Sequence, residues 1–312
     1  MTQKTFLVTG AMGCIGAWVL KHLMAQGERA VAFDLSADRH RLDWVMTPDE
    51  QAAINFAQGD LTDARQVKDV FKTYEVTHVV HLAALQVPLC RANPVLGSQV
   101  NVTGTVNLFE AAREIGVRHL AYASSIAVYG SASEYSKGPI PHDAPHKPQT
   151  LYGVYKVANE GTARIYWQDY GISSLGLRPY TVYGVGRDQG MTSDATKAMW
   201  AAIKEEPFEI GFSGVMQFQL ASDVALQFIL AADQAVDGAH VFNLGTPPAS
   251  VDNVIELIRK IKPEAQITRK ETRLPFPESF DDSSLRAHTR QVYETPLADG
   301  IQMTMEHFAR LG

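Results

Sequence analysis

The sequence predicts an α/β fold in which a doubly wound parallel sheet carries a smaller, discontinuous C-terminal lobe. Two patterns predict it: short apolar runs alternate with longer stretches of helical period, and the runs are apolar at nearly every position instead of every second one. Strands of that kind are covered on both faces, and strand-helix repetition gives parallel strands with helices on each side. In chain order, KTFLVTG leads into a helix over 14–26 and RAVAFD into a short polar helix. AINFAQGD precedes a helix over 63–74, THVVHLAA one over 94–115, and RHLAYASS one over roughly 150–170, before the strand ISSLGLRPY. Beyond Pro179 the regularity gives way to YGVGRDQGMTSD and GFSGVMQFQ, and AHVFNLG reads as a late strand returning to the sheet. Residues 1–178 with 218–246 are therefore expected to form the sheet domain. Residues 179–217 with 247–312 form the lobe over the carboxyl ends of the strands, where open parallel sheets bind ligands.

Composition narrows the ligand. The chain has 312 residues and a formal net charge of -6, with no run of Lys or Arg. Nucleic acid and an acidic membrane surface have no electrostatic basis here, and a small-molecule substrate is expected. Cys14 and Cys90 are the two cysteines, without paired spacing or a nearby His cluster, so neither a disulfide framework nor a metal site is expected. A reducing compartment, the cytoplasm, is the expected setting. No apolar stretch reaches the roughly 18 residues that a membrane span needs.

The first apolar run ends in Gly10-Ala11-Met12-Gly13-Cys14-Ile15-Gly16 and passes directly into an amphipathic stretch. Gly10 permits a tight turn, Gly13 lets backbone N–H groups approach a pyrophosphate, and Gly16 lets helix and strand pack closely; Cys14 and Ile15 complete the turn. The helix N-terminus then favours phosphate. Asp34 closes the second run, where a carboxylate accepts hydrogen bonds from an adenosine ribose and repels a 2′-phosphate, so the cofactor expected is NAD and not NADP. Arg39 and Arg41 follow, read as solvated helix charges.

Tyr152 and Lys156 stand four residues apart in LYGVYK, on one face of the expected helix. An ammonium beside a phenol favours the phenolate, which makes Tyr152 usable as an acid/base near neutral pH.

Together these motifs resemble the extended short-chain dehydrogenase/reductase family, of NAD-dependent epimerase/dehydratase type, over nearly the whole chain. TGAMGCIG is similar to the family's TGxxGxxG loop, GDLTD to its adenine-contacting segment, HLAA to its strand-4 end, and NVTGT to the segment whose Asn holds helix and strand together. YASSIAVYG resembles SSxxVYG, and LRPYTVYG resembles LRxxNVYG. The resemblance implies a Rossmann domain and a catalytic set of Ser125, Tyr152 and Lys156. It adds Asp60, Leu61, Leu82, Ala83, Ala84, Asn101, Ser124, Pro179, Tyr180 and Val182 to the NAD-contacting residues, with Tyr152 and Lys156 counted there too. It also implies a homodimer through the helix after NVTGT and the catalytic helix.

Departures from the family concern the substrate. Thr181 replaces the usual Asn, and Met216-Gln217 replaces an Arg-Asp pair, so the groups that hold a diphosphate and a ribose are missing. Arg187, Lys197 and Arg273 are the candidate substitutes, and Gln86, Cys90, Arg91 and Thr181, with Ser125, are candidate substrate contacts. Asp223 is expected to start a helix. The function expected is hydride transfer between NAD and a secondary alcohol of a small sugar, sugar acid or similar polar substrate. A nucleotide-sugar 4-epimerase that retains its NAD is the alternative, and a non-catalytic NAD sensor the alternative of another class.

Overall fold

The structure, a computed structural model, describes residues 3–234 and 236–312, so residues 1, 2 and 235 of the expected sheet domain lie outside the described residues. Its strands are β1 (Thr5–Thr9), β2 (Arg29–Asp34), β3 (Asn55–Gln58), β4 (His78–His81), β5 (His119–Ala123), β6 (Ser174–Arg178), β7 (Thr181–Tyr183), β8 (Phe208–Ile210), β9 (Val215–Leu220), β10 (Ala239–Asn243), β11 (Pro248–Ser250) and β12 (Ile267–Arg269). Seven of them form one sheet in the order β10-β6-β5-β4-β1-β2-β3, and every pairing in it is parallel. β1, β4 and β6 are buried at every position, as their uninterrupted apolar character requires. Strand order reverses between β1 and β4, which opens a crevice at their carboxyl ends.

Local chemistry sets the helix ends. Asp63 caps Ala64–Thr73 by accepting from the backbone N–H groups of Arg65 and Gln66, and Thr150 caps Leu151–Tyr170 by accepting from that of Gly153. Gly116 and Gly171, with φ of 86° and 65°, end Gly104–Ile115 and Leu151–Tyr170. The single helix expected over 94–115 is instead three pieces: Pro94–Ser98, a π-helical turn at Gln99–Thr103, and Gly104–Ile115. A further helix, Val87–Ala92, precedes them; Asn93 separates the two by leaving helical geometry and capping the next helix through Leu96 N–H. The polar segment after β2 is likewise two helices, His40–Val45 and Pro48–Ala52, the second started by a Thr47/Glu50 capping box and Pro48.

The late strand β10 does return to the sheet, parallel to β6 at its edge. β9, whose second half falls within the expected sheet domain, pairs instead with β7 and β11 in a separate three-stranded sheet, while β8 and β12 form a two-stranded one. The helix Ala221–Asp233 then packs against Cys14–Ala25 on the large sheet. One apolar core runs from Phe6, Val8 and Leu20 through Phe218 to Ile301 and Phe308 of the helix Leu297–Leu311, so sheet and C-terminal segments share it.

Candidate active site

The carboxyl ends of the central strands open onto a cavity of about 580 Å³. Its floor on the β1 side is the glycine turn. Gly10 has φ +68°, and a side chain there would lie 2.7 Å from Ala83 N; a Cβ at Gly16 would lie 2.3 Å from Gly10 O, so the helix starts against the strand end only because both lack one. At Gly13 an added Cβ would meet nothing nearer than Gly10 O at 3.1 Å, which leaves the turn's backbone open toward the cavity. Cys14 and Ile15 also line the cavity. Burial pushes the Cys14 thiol up to about 11, against the pull of Arg187 and Arg41. The cradle, the helix start behind it and the acidic strand end beyond fit a dinucleotide.

Asp34 anchors that turn: one carboxylate oxygen accepts from Met12 N–H at 2.9 Å and the other from Ser36 N–H at 2.9 Å. Arg41 is no solvated helix charge. Its guanidinium donates to Met12 O at 3.0 Å and forks onto Asp188 at 2.7 and 3.1 Å, because the turn and the loop after β7 meet over it. Arg39 instead lies over the Phe56 ring, 3.5 Å from its centroid. The loop after β7 is pinned again where Trp18 Nε1 donates to Val185 O at 2.9 Å. Asp60 accepts from Thr62 N–H at 2.8 Å, and Leu61 is buried under Gly104.

Across the crevice, Ser124 and Ser125 follow directly on β5. Ser124 donates to Glu160, whereas Ser125 Oγ accepts from Ala127 N–H at 3.1 Å and faces the cavity. Tyr152 and Lys156 stand in the first turns of Leu151–Tyr170. The helix reaches Ser125 closely because Gly153 has no Cβ; one there would sit 2.1 Å from Ala127 O. Lys156 is 2% exposed, lies 5.5 Å from the centre of the Tyr152 ring and donates to Ala123 O at 2.6 Å.

The electrostatics differ from those expected of the pair. Burial pushes the Tyr152 hydroxyl up to about 12, with Ser125 and Arg187 working against the rise, and the same burial brings the Lys156 ammonium down to about 8. In this state desolvation outweighs any help that the lysine gives the phenol.

Leu82, Ala83, Ala84, Ser124, Pro179, Tyr180, Val182, Gln86 and Arg187 line the same cavity, as do Asp60, Leu61, Tyr152 and Lys156. Four expected contacts stand outside its lining. Asn101 is buried and clamps Leu85, accepting from its N–H at 2.7 Å and donating to its carbonyl at 2.9 Å, so it braces the strand-4 end instead of facing a ligand. Cys90 is buried with its thiol on Leu85 O at 3.1 Å. Arg91 is exposed at the end of Val87–Ala92, pointed outward by that unexpected helix. Thr181 is buried within β7. Asp223 does not cap its own helix; it holds the C-terminal segment by accepting from Thr295 N–H at 2.6 Å and Thr295 Oγ1 at 3.1 Å.

Sequence reasoning missed a buried network behind the site. Glu160 takes a fork from Arg178 at 2.8 and 2.7 Å, and Arg178 also donates to Tyr129 Oη at 2.5 Å and His142 O at 2.6 Å. The available signal was Glu160, one helical turn beyond Lys156 on the same face. The second missed residue is Asp188, whose partners come from a segment 147 positions away. Among the described residues, no group of His, Cys, Asp and Glu is arranged to hold a metal ion, and no helix is long and apolar enough to cross a membrane.

Comparison with known proteins agrees with this geometry. UDP-glucose 4-epimerase of Mycolicibacterium smegmatis is 31% identical over 247 residues, covering 77% of this chain and 76% of that protein. UDP-glucuronate 4-epimerase 4 of Arabidopsis thaliana is 29% identical, over 98% of this chain and 74% of its own length. The crystal structure of Thermus thermophilus UDP-glucose 4-epimerase in complex with NAD superposes with a TM-score of 0.82 at 26% identity, covering 97% of this chain and 98% of that one. The model of the NAD dependent epimerase/dehydratase family matches residues 6–245, and with the parallel sheet, glycine turn and Ser/Tyr/Lys cluster in place, the chain belongs to that family of NAD-dependent enzymes of the extended short-chain dehydrogenase/reductase type.

Proposed function

We propose that the enzyme carries out net NAD-linked oxidation or reduction of a secondary alcohol in a small sugar, sugar acid or similar polar molecule. The observation that carries this reading is the Ser125, Tyr152 and Lys156 cluster facing the glycine turn across one cavity, in a chain without the diphosphate-holding pair on β9. Met216 and Gln217 are both buried there, and Gln217 is fully engaged with Thr246 O and with the Phe280 backbone.

NAD, when bound, supplies the hydride acceptor or donor. The glycine turn and helix Cys14–Ala25 would hold its phosphates, Asp34 its adenosine ribose, and Lys156 the ribose nearer the reaction. Tyr152 Oη takes the proton of the substrate hydroxyl, and Ser125 Oγ donates a hydrogen bond to the same oxygen. Lys156 steadies the resulting phenolate, which burial alone disfavours. A retained-NAD 4-epimerase is the second reading, favoured by the activities named for the relatives.

Incubation with excess NAD and a panel of aldonic acids, uronic acids, free sugars and UDP-sugars separates the two: stoichiometric NADH supports the dehydrogenase, and a changed sugar without NADH supports the epimerase. Tyr152→Phe is expected to abolish turnover and spare NAD binding, and full activity in that variant refutes the mechanism.

The reading extends to the assembly and its setting. Leu151 and Val154 on the catalytic helix are 41% and 46% exposed, a face suited to a homodimer, which sedimentation would detect. The free thiols Cys14 and Cys90 suit a reducing cytoplasm. The chain divides functionally into a cofactor domain, 1–178 with 218–246, and a substrate lobe made of the remainder.

A further inference from the structure

Most charged groups that line the cavity are already engaged. Asp34 is held by Met12 and Ser36, Asp38 by His40, and Asp60 by Thr62. Asp188 is held by Arg41 and His40, and Lys156 by Ala123 O. Arg187 is different. Among the described residues its Nε is shut off from water without a hydrogen-bond partner, and its Nη2 makes a long contact of 3.4 Å with Thr192 Oγ1. A buried donor of a charged group left this way is costly, and binding sites are where such a cost is recovered.

The guanidinium has a defined address. A Cβ at Gly190 would lie 2.4 Å from Gln86 Oε1 and 2.9 Å from Arg187 Nη2, so the glycine brings both side chains to one spot, with φ +105° that other residues resist. Thr192 adds a hydroxyl beside them. All three line the cavity with Tyr152, close enough that the Arg187 charge eases ionisation of the phenol. By contrast, Lys197 pairs with Asp194 and Arg273 lies on the bridge to Ser213; neither lines the cavity.

We propose that Arg187, flanked by Gln86 and Thr192, binds a carboxylate of the substrate, so that the alcohol oxidised belongs to a hydroxy acid of the sugar-acid class and not to a neutral sugar or a nucleotide sugar. Among the described residues the guanidinium has no ion-pair partner, and its single charge matches a single carboxylate. A sugar diphosphate would bring more negative charge than this one unpaired cation answers. The substrate class rests on the oxidoreductase reading above; binding of the anion does not.

The test therefore has separate arms for binding and for turnover. With the NADH-bound enzyme, aldonates and uronates are expected to raise Tm and their matched neutral alditols and glycosides are not; Arg187→Gln is expected to remove that shift while the Kd of NADH stays within about twofold. In turnover with NAD, the acids are expected to exceed neutral counterparts in kcat/KM, and Arg187→Gln to raise KM for the acid roughly 10- to 100-fold, the strength of a charge-assisted hydrogen bond. Arg187→Lys, which keeps the charge but loses the fork, is expected to recover part of it.

The proposal is overturned if neutral sugars or UDP-sugars bind or react as well as the acids. It is overturned equally if Arg187→Gln weakens NADH binding tenfold and leaves the acid preference intact, which assigns the guanidinium to the dinucleotide phosphates. Acid binding that depends on Arg187 but yields no NADH upholds the anchor and refutes the dehydrogenase reading instead.

Discussion

His81 shows how much one side chain can weigh at this site. Its ring is buried between Thr9 Oγ1 at 2.7 Å and Thr105 Oγ1 at 3.0 Å, and burial, helped by Lys156, brings it from 6.5 down to about 3. The unfolded chain therefore takes up a proton there that the native chain refuses. Stability is expected to fall as pH drops below about 6.5, by about 2 kcal/mol between pH 7 and 5 from this residue. Denaturant unfolding at the two pH values measures the loss; His81→Gln should flatten the slope by that amount, and an unchanged slope would refute the assignment. The two thiols provide a second check, because Cys14 is pushed up to about 11 and Cys90 is fully buried with its pKa raised by desolvation. Cys90 should not react with a thiol reagent at pH 8 until the protein unfolds, and Cys14, which lines the cavity, should react far more slowly than a free thiol. At this scale the glycines, Asp34 and the Tyr/Lys pair were legible, since each belongs to a short contiguous pattern. The direction of the Tyr152 shift was not, because spacing reveals the neighbouring cation but not the depth of burial.

Among the elements, the helix Leu151–Tyr170 owes its position to a close backbone approach. Its first turn touches the segment after β5 at Gly153, where any side chain must push two backbones apart. Gly153→Ala should displace Tyr152 from Ser125 and lower kcat by about 100-fold or more while NAD still binds. Steady-state kinetics beside cofactor titration decide it: loss of both functions would mean a folding defect, and loss of neither would remove the packing argument. The seven strands of the large sheet were legible from their apolar runs, and the helices of simple period came with them, whereas β7, β8, β9, β11 and β12 were not. The stretch over 87–115 was not: the helix Val87–Ala92, which carries Arg91, was not expected, and a π-helical turn at Gln99–Thr103 interrupts the single helix expected over 94–115.

Across the whole molecule, distant segments meet in two places that no local pattern announces. The first is the buried ion pair of Glu160 and Arg178, which joins the catalytic helix to β6. Glu160→Gln leaves the guanidinium without its counter-charge and should cost about 3–5 kcal/mol in unfolding free energy. Replacement of both residues by apolar ones of similar size should recover much of that loss, and an additive double variant would sink the idea. The fold class was readable because strand and helix alternate along the chain, but contacts between residues 18 or 167 positions apart depend on the finished topology. The second meeting place is the loop after β7, fastened to Trp18 through Val185 and to Arg41 through Asp188. A dinucleotide seated on the glycine turn would lie beside a strap fixed at two points, and its release is expected to require those fastenings to loosen. Escape of spent coenzyme, not C–H cleavage, should then pace the enzyme, and a deuterated alcohol should give a kinetic isotope effect near unity on kcat.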